Sequence, residues 1–263
     1  MATSSATGKT IVITGGAGGL GKAIASSFLD AGANVAIFDV HEGRLKETAA
    51  EWEKHGDSKF IVSQTDITNE TAVNAFFSSV TAKFGRIDML VNNAGIMDKF
   101  DPAGSLPLDL WNRVIGVNLT GTYLCTKAAI NAFEAQSPSG GTIISIGSIS
   151  SVRGISAGAA YTVSKHGLLG LVRNTAGFYG SKGIYSIAFL MGGMDTNIVD
   201  VFATGYNEEG LNLNQTMNPG FDPAKTYVPL TDVAKYCLFF SDPAVAEASN
   251  GAAITINKNW PIA

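Results

Sequence analysis

Charge is scarce in this 263-residue chain. Charged residues make up 15% and apolar ones 46%, the reverse of the balance that keeps a chain disordered. Lys and Arg form no cluster and the net charge is -4, which excludes nucleic acid as a main partner, because neutralising phosphates takes grouped cations. Only two cysteines occur, Cys125 and Cys237, far apart and outside any CxxC pattern. A disulfide framework and a cysteine metal site are thereby excluded. The three histidines, His41, His55 and His166, include no pair at metal-ligand spacing, so no metal is expected. No apolar run is long enough to cross a bilayer, and the first nine residues lack the charged and apolar blocks of a secretory signal. A cytoplasmic location, with no membrane partner, is the expectation. Asn-x-Thr triplets at Asn69, Asn118 and Asn214 then carry no glycan, since glycosylation requires secretion.

What is present is a rhythm. Short β-branched runs at Thr10–Thr14, Asn34–Asp39, Phe60–Gln64, Met89–Asn92, 142–146, 185–190 and 252–256 alternate with helix-length amphipathic stretches, the first starting near Gly19 and the second covering 44–55. Strands this uniformly apolar are buried on both faces, as when helices cover a parallel sheet. The expected fold is α/β: a single domain with a doubly wound, seven-stranded parallel sheet in a Rossmann-type three-layer sandwich. Residues 194–227 break the rhythm with Gly205, Gly210, Pro219, Gly220 and Pro223 and the aromatics Phe202, Tyr206, Phe221 and Tyr227. Long insertions in compact domains are more often functional than decorative, so this segment reads as a substrate lid.

The first strand runs into Thr14-Gly15-Gly16-Ala17-Gly18-Gly19-Leu20-Gly21, and a helical pattern begins at once. Glycines allow the sharp turn and the close approach of a pyrophosphate, and the helix N-terminus offers free N–H groups and partial positive charge. One βαβ unit later the second strand closes on Asp39, where a carboxylate accepts hydrogen bonds from the adenosine ribose hydroxyls. No Arg or Lys stands at Gly18 or immediately after Asp39 to receive a 2'-phosphate. NAD is therefore favoured over NADP.

Beyond the fifth strand stand Ser148 and then Tyr161-Thr162-Val163-Ser164-Lys165 at the start of a helical stretch. Residues four apart share a helix face, so Tyr161 and Lys165 are neighbours. A tyrosine pKa of about 10 is too high for efficient proton transfer at neutral pH, and a nearby ammonium is expected to pull it down. Tyr161 then serves as acid or base for a carbonyl or alcohol oxygen that Ser148 also holds. His166, about 100° around the helix from Lys165, reads as structural.

These motifs resemble those of the short-chain dehydrogenase/reductase family across nearly the whole chain. Thr14 to Gly21, with Gly15, Gly19, Leu20 and Gly21, is similar to the TGxxxGxG cofactor loop. Asp66, followed by Ile67, sits where the family places an adenine-binding aspartate. Asn92-Asn93-Ala94-Gly95 resembles the NNAG motif, and Asn118 matches the helix asparagine of a proton-relay tetrad. The resemblance implies a catalytic set of Asn118, Ser148, Tyr161 and Lys165, with Lys165 also holding the nicotinamide ribose. It implies cofactor contacts by Asn93, Ala94, Gly95 and Thr196 as well. It further implies a homo-oligomer, dimer or tetramer, built through helices at 120–134 and 159–180, whose apolar residues cover more than one face.

Two stretches depart from the family pattern. Met191 stands where a proline is usual before Gly192 and Thr196, which leaves the nicotinamide end less tightly held. The last strand reads Thr255-Ile256-Asn257 in place of Val-Asp-Gly; hydroxyprostaglandin dehydrogenases also depart there, and Ser164-Lys165-His166-Gly167 is similar to theirs. The expected function is hydride transfer between NAD(H) and a secondary alcohol or ketone, apolar or aromatic in view of the aromatics in 194–227 and of Glu208 and Glu209, which oppose anions. Two other readings stay open: a cofactor-binding sensor or scaffold without turnover, and a non-redox isomerase or dehydratase using the same site.

Overall fold

The structure, a computed structural model, describes residues 6–261. Its strands are β1 (Thr10–Thr14), β2 (Asn34–Asp39), β3 (Phe60–Gln64), β4 (Met89–Asn92), β5 (Gly141–Ser148), β6 (Ile184–Met191) and β7 (Ala253–Ile256). They form one sheet in the order β3-β2-β1-β4-β5-β6-β7, and every pair is parallel. Between them run α1 (Gly19–Asp30), α2 (Glu42–Trp52), α3 (Glu70–Phe84), α4 (Leu108–Ile115), α5 (Thr122–Ala135) and α6 (Ala159–Tyr179). After β6 come α7 (Glu208–Met217), α8 (Pro223–Thr226), α9 (Leu230–Phe239) and α10 (Pro243–Ala248).

The alternation of side chains along a strand divides the core in two. Ile11 and Ile13 of β1 and Val35 and Ile37 of β2 point to one face, where they meet Ile24 and Phe28 of α1 and Val233 and Cys237 of α9. Val12 and Phe38 point to the other, against Val73, Phe76 and Phe77 of α3 and Cys125 and Ala129 of α5. Burial on both faces is why these strands lack a polar alternation.

Three elements differ from expectation. The helix expected over 44–55 starts earlier, at Glu42, and ends in a 3-10 turn, Glu53–His55. β5 and β6 are each eight residues long, and Met191 is a full member of β6, paired with Ser148 on one side and Ile256 on the other. Gly192 N–H then donates to the Ile256 carbonyl (3.0 Å). A proline would forgo its own N–H; methionine lets the strand run on, so the backbone is held by the sheet as far as Gly192. Residues 194–227, expected only as a break in the rhythm, contain a 3-10 helix, Asn197–Thr204, and then α7 and α8. Asn207 caps α7 through Gly210 N–H (2.8 Å) and Asp222 caps α8 through Ala224 N–H (3.1 Å), the local signals that start helices between the glycines.

The strand order reverses between β1 and β4, so their connections leave in opposite directions and open a crevice at the carboxyl end of the sheet, the usual ligand position in such folds.

Candidate active site

A cavity of about 1310 Å³ opens at that crevice. It exceeds the roughly 300–1,000 Å³ of a single small-ligand pocket, leaving room for a dinucleotide and a second molecule. One half is built by the ends of β1, β2 and β4. Gly15 has φ +63° and Gly19 φ +49°, a region that side chains rarely tolerate. A Cβ on Gly21 would overlap the Gly15 carbonyl, and one on Gly15 would stand 2.9 Å from Ala94 Cα. α1 has neither a side-chain cap nor an acidic residue in its first turn, so its leading N–H groups are left for an anion. The donors and the bare backbone fit a pyrophosphate. Leu20 and Gly95 also line the cavity.

Thr14 ties the two central strands together, a role the sequence reading missed. Its hydroxyl accepts from Asn93 N–H (3.0 Å) and Ala94 N–H (2.9 Å), while Asn93 Nδ2 donates to the Thr14 and Gly15 carbonyls (both 3.0 Å). Asn92 turns inward instead, to Thr126 (3.0 Å). At the adenosine end, Asp39 accepts from Ala17 N–H (3.2 Å) and His41 N–H (3.0 Å), which fixes its carboxylate at the cavity wall with acceptor capacity remaining. Asp66 Oδ1 accepts from the Thr68 N–H and hydroxyl (both 2.8 Å), and Ile67 packs against Gly121. Both line the cavity.

A cation does reach this end, although none adjoins Asp39 in sequence. Arg44, from the first turns of α2, lines the cavity and holds Asp200 of the 3-10 helix at 3.0 Å. That helix also covers the glycine loop: Thr196 Cβ would lie 3.3 Å from a Cβ on Gly19, and Asn197 Oδ1 3.0 Å from one on Gly18. No local pattern announces Arg44 or Asn197, because their partners come from distant chain segments.

In the other half the structure gathers Ser148, Tyr161, Lys165 and Asn118. Ser148 ends β5 and lines the cavity beside Tyr161; its Oγ accepts from Ser150 N–H (3.1 Å). Lys165 is 3% exposed and donates to the Ile146 carbonyl (2.8 Å). Its ammonium lies 5.5 Å over the Tyr161 ring centroid, not against the hydroxyl. Burial therefore dominates both groups. It pushes Tyr161 up to about 12, partly offset by the neighbouring Ser148 hydroxyl and reinforced by Asp98, and it brings Lys165 down to about 8. The expectation that the ammonium lowers the phenol is not met in the protein by itself, because burial of Tyr161 outweighs the influences that favour its phenolate and the ammonium is aimed at the Ile146 carbonyl.

Asn118 lies in a π-helical segment, Gly116–Gly121, that joins α4 to α5. Its side chain is fully buried and engaged with Ile96, accepting from its N–H (2.8 Å) and donating to its carbonyl (2.9 Å) and to Ser164 Oγ (3.1 Å). It braces the segment after Gly95, near Lys165, without a direct bond to the ammonium. His166 Nδ1 bonds the Thr162 carbonyl (2.9 Å) at the surface, outside the site.

The remaining wall is mainly apolar: Ile149, Met194, Ile198, Val201, Phe202 and Phe221 line it, with Tyr227 and Trp260, and the polar Asn214, Gln215 and Asn218 interrupt it. Tyr206 does not line the cavity; it packs edge-on against Phe202 at 6.0 Å and is half exposed. A phenol beside a serine and a buried ammonium can hold an oxygen and exchange a proton with it.

Known proteins carry the same arrangement of sequence. The model of the short chain dehydrogenase family matches residues 9–206. A short chain dehydrogenase/reductase of Colletotrichum higginsianum, dpchG, is 42% identical over 254 residues, 96% of this chain and 94% of that protein. The 3beta-hydroxysteroid dehydrogenase 2 of Eggerthella lenta is 35% identical over 253 residues, covering 96% and 95%. Among solved structures, a 3-ketoacyl-(acyl-carrier-protein) reductase from Brucella melitensis in complex with NADH superposes with a TM-score of 0.82 at 26% identity, covering 98% of this chain and all of that one.

Proposed function

The chain belongs to the short chain dehydrogenase family, oxidoreductases that transfer a hydride between a nicotinamide cofactor and an alcohol or ketone, and from that premise we propose that this enzyme uses NAD(H), with Tyr161 as its acid/base. The observation that carries the reading is that Ser148, Tyr161 and Lys165 stand together in the wall of a cavity whose other half is the glycine loop and Asp39.

The bound cofactor supplies the hydride and, when oxidised, a positive nicotinamide ring. In ketone reduction Tyr161 gives its hydroxyl proton to the alkoxide oxygen as that oxygen gains charge, and Ser148 Oγ donates a hydrogen bond to the same atom. Lys165 holds a positive charge close by and orients the ribose, and Asn118 keeps the segment after Gly95 at the right depth. Asp39 accepts from the ribose hydroxyls and repels a 2'-phosphate; Arg44, already engaged by Asp200, does not offset it. Gly15, Gly19, Leu20 and Gly21 receive the pyrophosphate, Asp66 and Ile67 the adenine, and Asn93, Ala94, Gly95 and Thr196 the nicotinamide half. The segment 194–227 acts as a substrate lid, and its apolar lining suits a cyclic aliphatic or aromatic ketone, in keeping with the hydroxysteroid named for one relative. Exposed Tyr123 of α5 and Val163 and Phe178 of α6 support self-association through those helices.

Fluorescence titration with NADH and separately NADPH tests the cofactor, and a panel of cyclohexanone, acetophenone and a 3-ketosteroid tests the chemistry. Tighter binding of NADH with ketone-dependent loss of its absorbance is the expected result. Tighter binding of NADPH refutes the role given to Asp39, and cofactor binding by a protein inert towards every ketone refutes the substrate class.

A further inference from the structure

Helix α6 carries Tyr161 and Lys165, yet it has no cap of its own: Gly158 precedes it and its first turn holds no acidic residue. The N–H groups at its start are satisfied from a loop some sixty residues earlier. Asp98, fully buried, accepts from Gly158 N–H at 3.0 Å through Oδ1 and from Tyr161 N–H at 2.9 Å through Oδ2, and the Asp101 carbonyl accepts from Ala159 N–H (2.9 Å). A buried carboxylate is costly unless its oxygens are occupied, and here burial raises its pKa against three backbone donors, the third being Phe100 N–H at 3.2 Å.

The same five-residue loop, 97–101, grips the segment after β6 from its other side. The Lys99 carbonyl accepts from Asn207 N–H (2.8 Å), Lys99 Nζ donates to the Thr204 carbonyl (3.0 Å), and Asn207 Nδ2 donates to Asp101 (3.3 Å). Phe100, held at φ +64°, stacks on Phe202 at 5.4 Å, and Phe202 lines the cavity. Gly210 packs directly on the Phe100 carbonyl.

We propose that Asp98 is a positioning residue for Tyr161, and that the loop 97–101 transmits the seating of the 197–217 segment over the substrate to the start of α6. The inference rests on Tyr161 being the acid/base. Substrate pressing on Phe202 presses on Phe100, two residues from the carboxylate that holds the Tyr161 backbone. The phenol is then set for proton transfer when the apolar wall is in place.

Two variants address the two ends. Asp98→Asn keeps the shape but replaces one acceptor oxygen by an amide that cannot accept, so at least one backbone N–H loses its partner. Asn207→Asp still caps Gly210 N–H but sets a carboxylate beside Asp101. With the ketone of the panel above that turns over fastest, Asp98→Asn is expected to lower kcat by about 100-fold, the cost of a small misplacement of a reacting group. Its NADH affinity stays unchanged and the solvent deuterium isotope effect on kcat rises, because proton transfer has become limiting. Asn207→Asp gives the same signature in smaller degree, and the double variant loses no more than Asp98→Asn alone. A wild-type isotope effect in Asp98→Asn, or losses that multiply in the double variant, overturns the proposal. If Asp98→Asn does not fold, the isotope effect of Asn207→Asp decides alone. Tyr161→Phe separates the levels: turnover retained there refutes the acid/base reading, whereas turnover lost there with both isotope effects unmoved refutes only the coupling.

Discussion

Replacing Lys165 by Met gives a stability effect whose sign and size follow from burial. The ammonium is 3% exposed and desolvation lowers its pKa from 10.5 to about 8. Below that value both folded and unfolded chains carry the proton, and the folded chain bears the full cost of the buried charge. Between about 8 and 10.5 the folded state has shed the proton and the unfolded state keeps it, so stability rises with pH. At about 1.4 kcal/mol per pH unit, wild type gains about 3 kcal/mol across this window. Lys165→Met has no such gain. The lost bond to the Ile146 carbonyl shifts the variant by a constant, so the informative quantity is the change in the difference between the two proteins, not the difference itself. Urea unfolding of both without cofactor, below and above the window, measures it with slopes unchanged. Parallel stability curves would refute the assignment of a buried, charged Lys165.

Tyr161→Phe removes the proton but little volume; turnover should fall by about 10²–10⁴-fold, the usual share of acid–base catalysis, with NADH affinity by fluorescence unchanged. Asp39→Ala should weaken NADH more than NADPH and narrow the preference between them, and an equal loss for both would show that Asp39 acts only through its bonds to Ala17 and His41. Gly21→Ala places a methyl onto the Gly15 carbonyl; calorimetry should find it destabilised and NADH titration should find no binding, whereas normal binding would mean that the loop has room. Burial keeps Tyr161 a neutral phenol, up to about 12, so alcohol oxidation, which needs the phenolate, should accelerate as pH rises, while ketone reduction, which needs the phenol, stays flat over the neutral range; the two initial-rate profiles test this.

The strands were readable because burial on both faces writes an unbroken apolar run, and Thr10–Thr14, Asn34–Asp39, Phe60–Gln64 and Met89–Asn92 match the observed bounds. Glycines at Gly15 and Gly19 were readable because positive φ leaves few alternatives, and the spacing of Tyr161 and Lys165 because the helical repeat puts them on one face. What escaped depends on contacts between distant segments. Asp98 belongs to no motif of its own, and only the fold brings α6 down onto it. Arg44 follows Asp39 by five residues, yet its cation meets Asp200. The electrostatics of Tyr161 escaped for another reason: adjacency on a helix says nothing about depth, and depth governs both it and Lys165. Segment 194–227 was legible as an insertion from its glycines and prolines, whereas the helices inside it start at the neighbouring Asn207 and Asp222.

One short stretch after β6 joins the cofactor half of the cavity to its apolar wall: Thr196 and Asn197 rest on the glycine loop, Asp200 grips Arg44 and Phe202 stacks on Phe100. A cover shared in this way turns geometry into chronology. With a dinucleotide seated beneath this cover, the expected order is cofactor before ketone and alcohol release before the spent dinucleotide, and product-inhibition patterns check it.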